Sequence, residues 1–255
     1  MCIISGEIES VTKTKIFCGV NREKNRQLTV YANSVKTNSI NNAMILPVVF
    51  PESLQFHNLQ NYSDFFSDCN IPFNTIRSMS FNDSYITTNS QTLKVISVGS
   101  YHVSVAMNLS DLQHINRNVF TLTNDLGNVL QKYYSQTCFG FIICQLHPNT
   151  IDYHPFAYSH NILQQTVFIP TRHYHNNEGD TLYADDWDHD IYLYNCNHTT
   201  SNYLTGDVKL NAQIVNRSYL KYNLIDFDLD QSSIHFTKLK MVGKHVNRDL
   251  QFVTY

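Results

Sequence analysis

The chain has 255 residues, 42% of them hydrophobic and only 15% charged, with a formal net charge of −3 and a pI near 6.4. Such a length supports a substantial buried core, and the charge balance excludes a general attraction to nucleic acid or anionic membrane. No apolar run reaches the roughly 18 residues that span a bilayer, and MCIISGEIES meets Glu7 without a basic segment ahead of it. A cytoplasmic protein free of membrane attachment is therefore expected.

The first elements read as strands. IIS (3–5), KIFCGV (15–20) and QLTVYANSV (27–35) are short apolar or alternating runs separated by polar turns, as in an antiparallel meander. AMILPVVF (43–50) continues as a buried strand that Pro47 should end or push to an edge. NLQNYSDFFSDC (58–69) suits a short helix capped by Ser63 or Asp64. LKVISV (93–98) and YHVSVAM (101–107) flank Gly99-Ser100, a two-residue hairpin signal. LSDLQHINRNVF (109–120) and NDLGNVLQKYYSQ (124–136) carry helical spacing, with Ser110 and Asn124 as caps. CFGFIICQL (138–146), TVFIP (166–170) and IYLYNC (191–196) return to strand pattern. The fold class predicted is α+β, mostly antiparallel sheet or two stacked sheets with a few short helices. One domain over 1–255 is expected, with 197–255 as a C-terminal extension or the last strands of the same sheet.

Seven of the twelve histidines fall between His147 and His198. His147-Pro148 and His154-Pro155 read as punctuation around a strand, because X-Pro favours extended or turn backbone. His173 and His175 follow TVFIP at a strand end, where i and i+2 share a face. Asp188 and His189 open the next strand. If those strands pair as a hairpin, His189 returns to His173 and His175. Such a group could hold a divalent transition metal such as zinc, or serve only as hydrogen-bonded core. HExxH, GxGxxG and GxxxxGK[ST] are absent.

The six cysteines are scattered without CxxC pairing, which in a reducing compartment reads as free thiols. Cys2 is the chemically suggestive one. Loss of Met1 would expose an α-amino group able to deprotonate its thiol. The opening is similar to that of N-terminal nucleophile hydrolases, and CGVNRE supplies Gly19 and Asn21 of their early turn. Val20 stands where that family has arginine, and Glu23 only loosely represents its acid. That resemblance implies Cys2 as nucleophile, with His173 as proton acceptor and Asp188 orienting a histidine.

A longer resemblance covers residues 2–196. MCIIS, KIFCGV, RQLTVYANS, AMILP, HPFAY, FIPTRHYH and WDHDIY, in that order, resemble the motifs of an uncharacterised family of bacterial and large-DNA-virus proteins. Bacterial members have an arginine in the turn where Cys18-Gly19 stands here. The family implies a site around Cys2, His173, His175, Asp188 and His189 without naming a reaction. Three readings stay open: a Cys2 hydrolase or amidase, a His173/His175/His189 metal protein, and a non-catalytic protein that meets a host partner through a Tyr- and Asn-rich surface. A small-molecule partner suits the first two, and nucleic acid suits none of them.

Overall fold

The structure, a computed structural model, describes residues 3–73, 92–148, 154–162, 165–175, 181, 183–197 and 211–254. Apolar and alternating runs become strands almost wherever period-two patterning predicts them. A five-stranded antiparallel sheet runs in the order β1 (Ile3–Ile4), β4 (Asn42–Val49), β8 (Phe139–Leu146), β7 (Tyr101–Ala106) and β6 (Ile96–Val98). A seven-stranded sheet runs β13 (Asn211–Val215), β14 (Phe236–Val246), β11 (Tyr183–Tyr194), β2 (Ser10–Asn21), β3 (Arg26–Lys36), β9 (Phe156–Asn161) and β5 (Gln55–Asn58). Its ladders are antiparallel except β11 with β2, which is parallel. A third sheet orders β10 (Thr166–Ile169), β15 (Leu250–Thr254) and β12 (Cys196–Asn197). The sheets are thus mostly antiparallel and the helices few, as predicted. The segment after 197 completes sheets begun earlier in the chain.

Alternation along β2 sets the layers. Ile16, Cys18 and Val20 face Met44, Leu46 and Val48 of β4 and Ile142 of β8. Phe17 takes the opposite face, among Phe65 and Phe66 of α1 (Phe65–Asn70), Tyr192 and Tyr194. A strand buried on both faces must be apolar throughout, which explains KIFCGV. The outer face of the five-stranded sheet packs Ala43, Ile45, Phe141 and Ile143 against α2 (Asn124–Tyr134). Leu126, Val129 and Leu130 supply that helix's buried stripe at the expected i, i+3, i+4 spacing.

Three expectations change. The cap of α2 is Thr123, whose side chain accepts from the Leu126 amide, rather than Asn124. Within 58–69 only Phe65 onward is α-helical, after a 3₁₀ turn at Gln60–Tyr62. The 109–120 segment forms just a 3₁₀ turn, Ser110–His114, because Ile115 is extended and ends the helical run. Pro47 remains inside β4, opposite Phe141 of β8. On the other side, among the described residues, β1 pairs only Met44 and Ile45, so no ladder there needs an amide at position 47.

The 96–106 hairpin forms as predicted, with Val98 opposite Tyr101 and Gly99 at φ 57°. His154 is its anchor: Nε2 accepts from the Ser100 amide at 3.0 Å, and the Tyr101 hydroxyl donates to the His154 carbonyl at 2.7 Å. A Cβ on Gly99 would come within 2.4 Å of His154 Nε2. Gly99→Ala is therefore expected to cost about 1–3 kcal/mol, from left-handed strain and displacement of His154. A denaturant titration checks this; an unchanged midpoint would show that the turn relaxes freely.

Candidate functional site

The chain leaves β10 at Ile169 and continues through Pro170 to His175 with a single β-bridge, from Tyr174 to Ile3. Side chains from the β14–β15 turn take the place of a partner strand. The Thr171 and Arg172 amides donate to Asp249 Oδ1 at 2.9 and 3.0 Å, and the His173 amide donates to Asn247 Oδ1 at 2.7 Å. Asn247 Nδ2 returns a bond to the His173 carbonyl at 2.9 Å. The next carbonyl, of Tyr174, accepts from the Ile4 amide at 2.8 Å, and Ile3 bridges Tyr174 in parallel. Ser5 then fixes β1 to β4, accepting from the Ala43 amide and donating to Asn42 Oδ1. These bonds give the MCIIS and FIPTRHYH motifs a shared structural purpose.

The expected hairpin between TVFIP and IYLYNC does not form. β10 pairs β15, whereas β11 pairs β14 and β2. The histidines still converge, through packing of the segment after β10 against β11. His173 stacks on Trp187 at 4.5 Å between centroids, and on His189 at 5.2 Å with 17° between the planes. Trp187 and His189, two apart on β11, share the inward face at 4.6 Å. His245 meets the Trp187 edge at 5.7 Å.

This cluster is closed. His189 is 1% exposed and His173 7%, and His173 Nε2, both ring nitrogens of His189 and Trp187 Nε1 are buried without a hydrogen-bond partner. Burial, reinforced by repulsion from neighbouring positive groups that include His175 and His245, holds the His173 imidazolium far below the ordinary histidine range. A base so reluctant to take a proton is poorly matched to proton transfer near neutral pH. Two nearly parallel rings also direct their in-plane lone pairs along separate planes, so one ion could not take both without a ring turning. Among the described residues, no group of three His, Cys, Asp or Glu side chains is arranged to hold a metal.

The other predicted residues lie elsewhere. Asp188 is exposed, on the opposite face of β11 from His189, and its Oδ2 accepts from the Lys13 amide at 2.9 Å. It orients the β2 bulge, where Lys13 has φ 53°, and not an imidazole. His175 is half-buried at the edge of the cluster. Cys2 lies outside the described residues. His154, read from the sequence as punctuation around a strand, belongs to the Gly99 turn.

Sequence reasoning missed one nucleophile-like pair. His57 Nε2 lies 2.8 Å from Ser159 Oγ, across β5 and β9, and Arg26 donates to the same oxygen at 2.8 Å. Ser159 is 0% exposed, so the trio ties strands together and offers nothing to a substrate. Clefts of about 280, 210 and 130 Å³ are lined by described residues, and none includes His173, Trp187 or His189.

Acid should weaken the fold through such buried imidazoles. Burial pushes His160 down from 6.5 to about 4, only partly offset by its Nδ1 contact with the Asn161 carbonyl. Between those values the unfolded chain binds the proton and the folded chain does not. Stability is therefore full above pH 6.5 and falls as pH drops toward 4, by about 3 kcal/mol for this residue. His173 acts in the same direction. Denaturant midpoints at neutral pH and near pH 4.5 should show the loss, and His160→Gln should shrink it. A pH-independent midpoint would contradict it.

No family model matches the sequence. The crystal structure of baculovirus P35 superposes with a TM-score of 0.54 at 14% identity, covering 99% of each chain. This chain has the P35 fold. A mutated baculovirus P35 solved after caspase cleavage matches with a TM-score of 0.51 at 14% identity, covering 96% of this chain and 100% of that one. That likeness covers nearly the whole of both chains and concerns the fold alone. No helix among the described residues is long and apolar enough to cross a membrane.

Proposed function

We propose that this chain is a viral protein that a host caspase engages and cuts after Asp83. The supporting observation is the near end-to-end likeness in fold to a P35 structure obtained after caspase cleavage.

Caspases cut on the carboxyl side of aspartate, of which the sequence carries sixteen. Residues 74–91 join α1 to β6, and Asp83 is the one carboxylate among them. Ser84 follows it, a small residue that crowds a protease cleft little. Asp207, in the 198–210 stretch, precedes the β-branched Val208. In the first chemical step the protease thiolate attacks the Asp83 carbonyl carbon. The bond to the Ser84 nitrogen then breaks, that nitrogen leaves as an amine with a proton from the protease histidine, and a thioester remains. Water hydrolyses the thioester and regenerates the thiol.

The test is incubation of the purified full chain with an active caspase, followed by mass spectrometry of the pieces. Fragments 1–83 and 84–255 are expected, with the chain slowing caspase turnover of a reporter peptide. An uncut chain that leaves the reporter rate unchanged would refute the proposal.

A further inference from the structure

A second pair of imidazoles lies outside the buried cluster. His102 stands on β7 one residue before Val103, which pairs with Cys144 of β8. Continued by one step, that register sets His102 opposite Gln145, and His147, two residues on from Gln145, falls on the same face. The two rings are 5.6 Å apart between centroids, with 78° between their planes. His102 is exposed and His147 half-buried, so solvent reaches the pair.

We propose that His102 and His147 together bind one divalent transition metal ion of the zinc or copper type, with water in its remaining positions. The spacing suits such an ion. Zinc about 2.1 Å from one nitrogen of each ring, at the tetrahedral angle, holds the ring centroids about 5 Å apart. The orientation suits it too. Planes that cross share a line, and an ion on that line lies in the plane of both rings, where their lone pairs point. The nearly parallel rings of His173 and His189 offer no such line.

The contact made by His102 points the same way. Its Nδ1 lies 2.9 Å from Gln145 Oε1, and Gln145 Nε2 donates to Asn41 Oδ1 at 3.4 Å. Because an oxygen accepts, Nδ1 carries the proton, and Nε2 holds the lone pair that a metal takes. Histidines that ligate metals ordinarily have this arrangement, one ring nitrogen bonded to an oxygen and the other on the ion. His147 also has two ring nitrogens, so a hydrogen bond at one leaves the other for the ion. Imidazole donors select zinc, copper or nickel, whereas magnesium and calcium take oxygen ligands.

Calorimetric titration of the untagged full chain with zinc chloride tests the site. Saturable zinc binding is expected, and magnesium chloride should give none. His102→Gln and His147→Gln should each weaken zinc at least about ten-fold, since the remaining imidazole loses its partner on the ion. His114→Gln, at another exposed histidine, should leave the affinity unchanged. With copper(II) as the probe, electron paramagnetic resonance should count one coordinated nitrogen fewer in the His102 and His147 variants than in the parent. Unfolding midpoints measured without metal check that the variants are folded. An absence of saturable zinc binding, parent affinity in either the His102 or the His147 variant, an equal loss in the His114 variant, or magnesium binding as well as zinc would each overturn the proposal. No protease enters this test, so its outcome is separate from that of cleavage at Asp83.

Discussion

A chain carrying Asp83→Ala is expected to stay intact under conditions in which a caspase cuts the unaltered chain completely. A protease pocket built to pair with one carboxylate leaves its own buried charges unpaired when a methyl group enters instead. Sites of that kind discriminate by about 10⁴-fold. The same substitution should abolish any slowing of reporter turnover that depends on cleavage. Asp207→Ala serves as the control and should change neither readout. Cleavage that persists in the Asp83 variant and vanishes in the Asp207 variant would move the engaged segment to 198–210.

Trp187→Ala carries the largest expected effect on stability. The indole is 1% exposed and packs against His173, His189 and His245, so its removal opens a cavity where the histidine segment meets β11. Truncation of a buried tryptophan costs about 3–5 kcal/mol. For a chain of this length that corresponds to a fall in Tm of roughly 10 °C. Trp187 is also the chain's one tryptophan, so the parent's emission reports directly on the cluster. A blue-shifted emission that moves to the red in step with thermal unfolding would agree with the buried placement. Emission already at the solvent-exposed wavelength in the native protein would contradict it.

Much of the strand pattern was legible in the sequence because period-two alternation follows from pleat geometry alone. KIFCGV, CFGFIICQL and the Gly99-Ser100 turn each announced themselves locally. Strand neighbours did not. TVFIP and IYLYNC are near in sequence, yet their partners are β15 in one case and β14 with β2 in the other. Nothing in either stretch encodes a partner so far along the chain. The convergence of His173 and His189 was foreseen, but through a hairpin that does not exist. What brings them together is packing of the segment after β10 against β11, with Trp187 stacked on His173 and tilted against His189. Asp188 was misplaced because adjacency in sequence was read as adjacency in space, whereas consecutive strand residues face opposite ways. Ser159, His57 and Arg26 carried no local signal, since they meet only across three separate strands.

The strand order of the seven-stranded sheet bears on what a cut between α1 and β6 can do. Strands from before and after residues 74–91 alternate in it: β2 and β3 lie between β11 and β9, and β5 borders β9. The five-stranded sheet repeats this with β4 against β8. Breaking one peptide bond after Asp83 leaves every one of these ladders intact. The two pieces have no common boundary along which to part, and separating them means unzipping the centre of both sheets. Severed protein would therefore migrate as a single body until denatured, with its newly made ends still tethered to the same scaffold. A protease that cuts here gains no departing product.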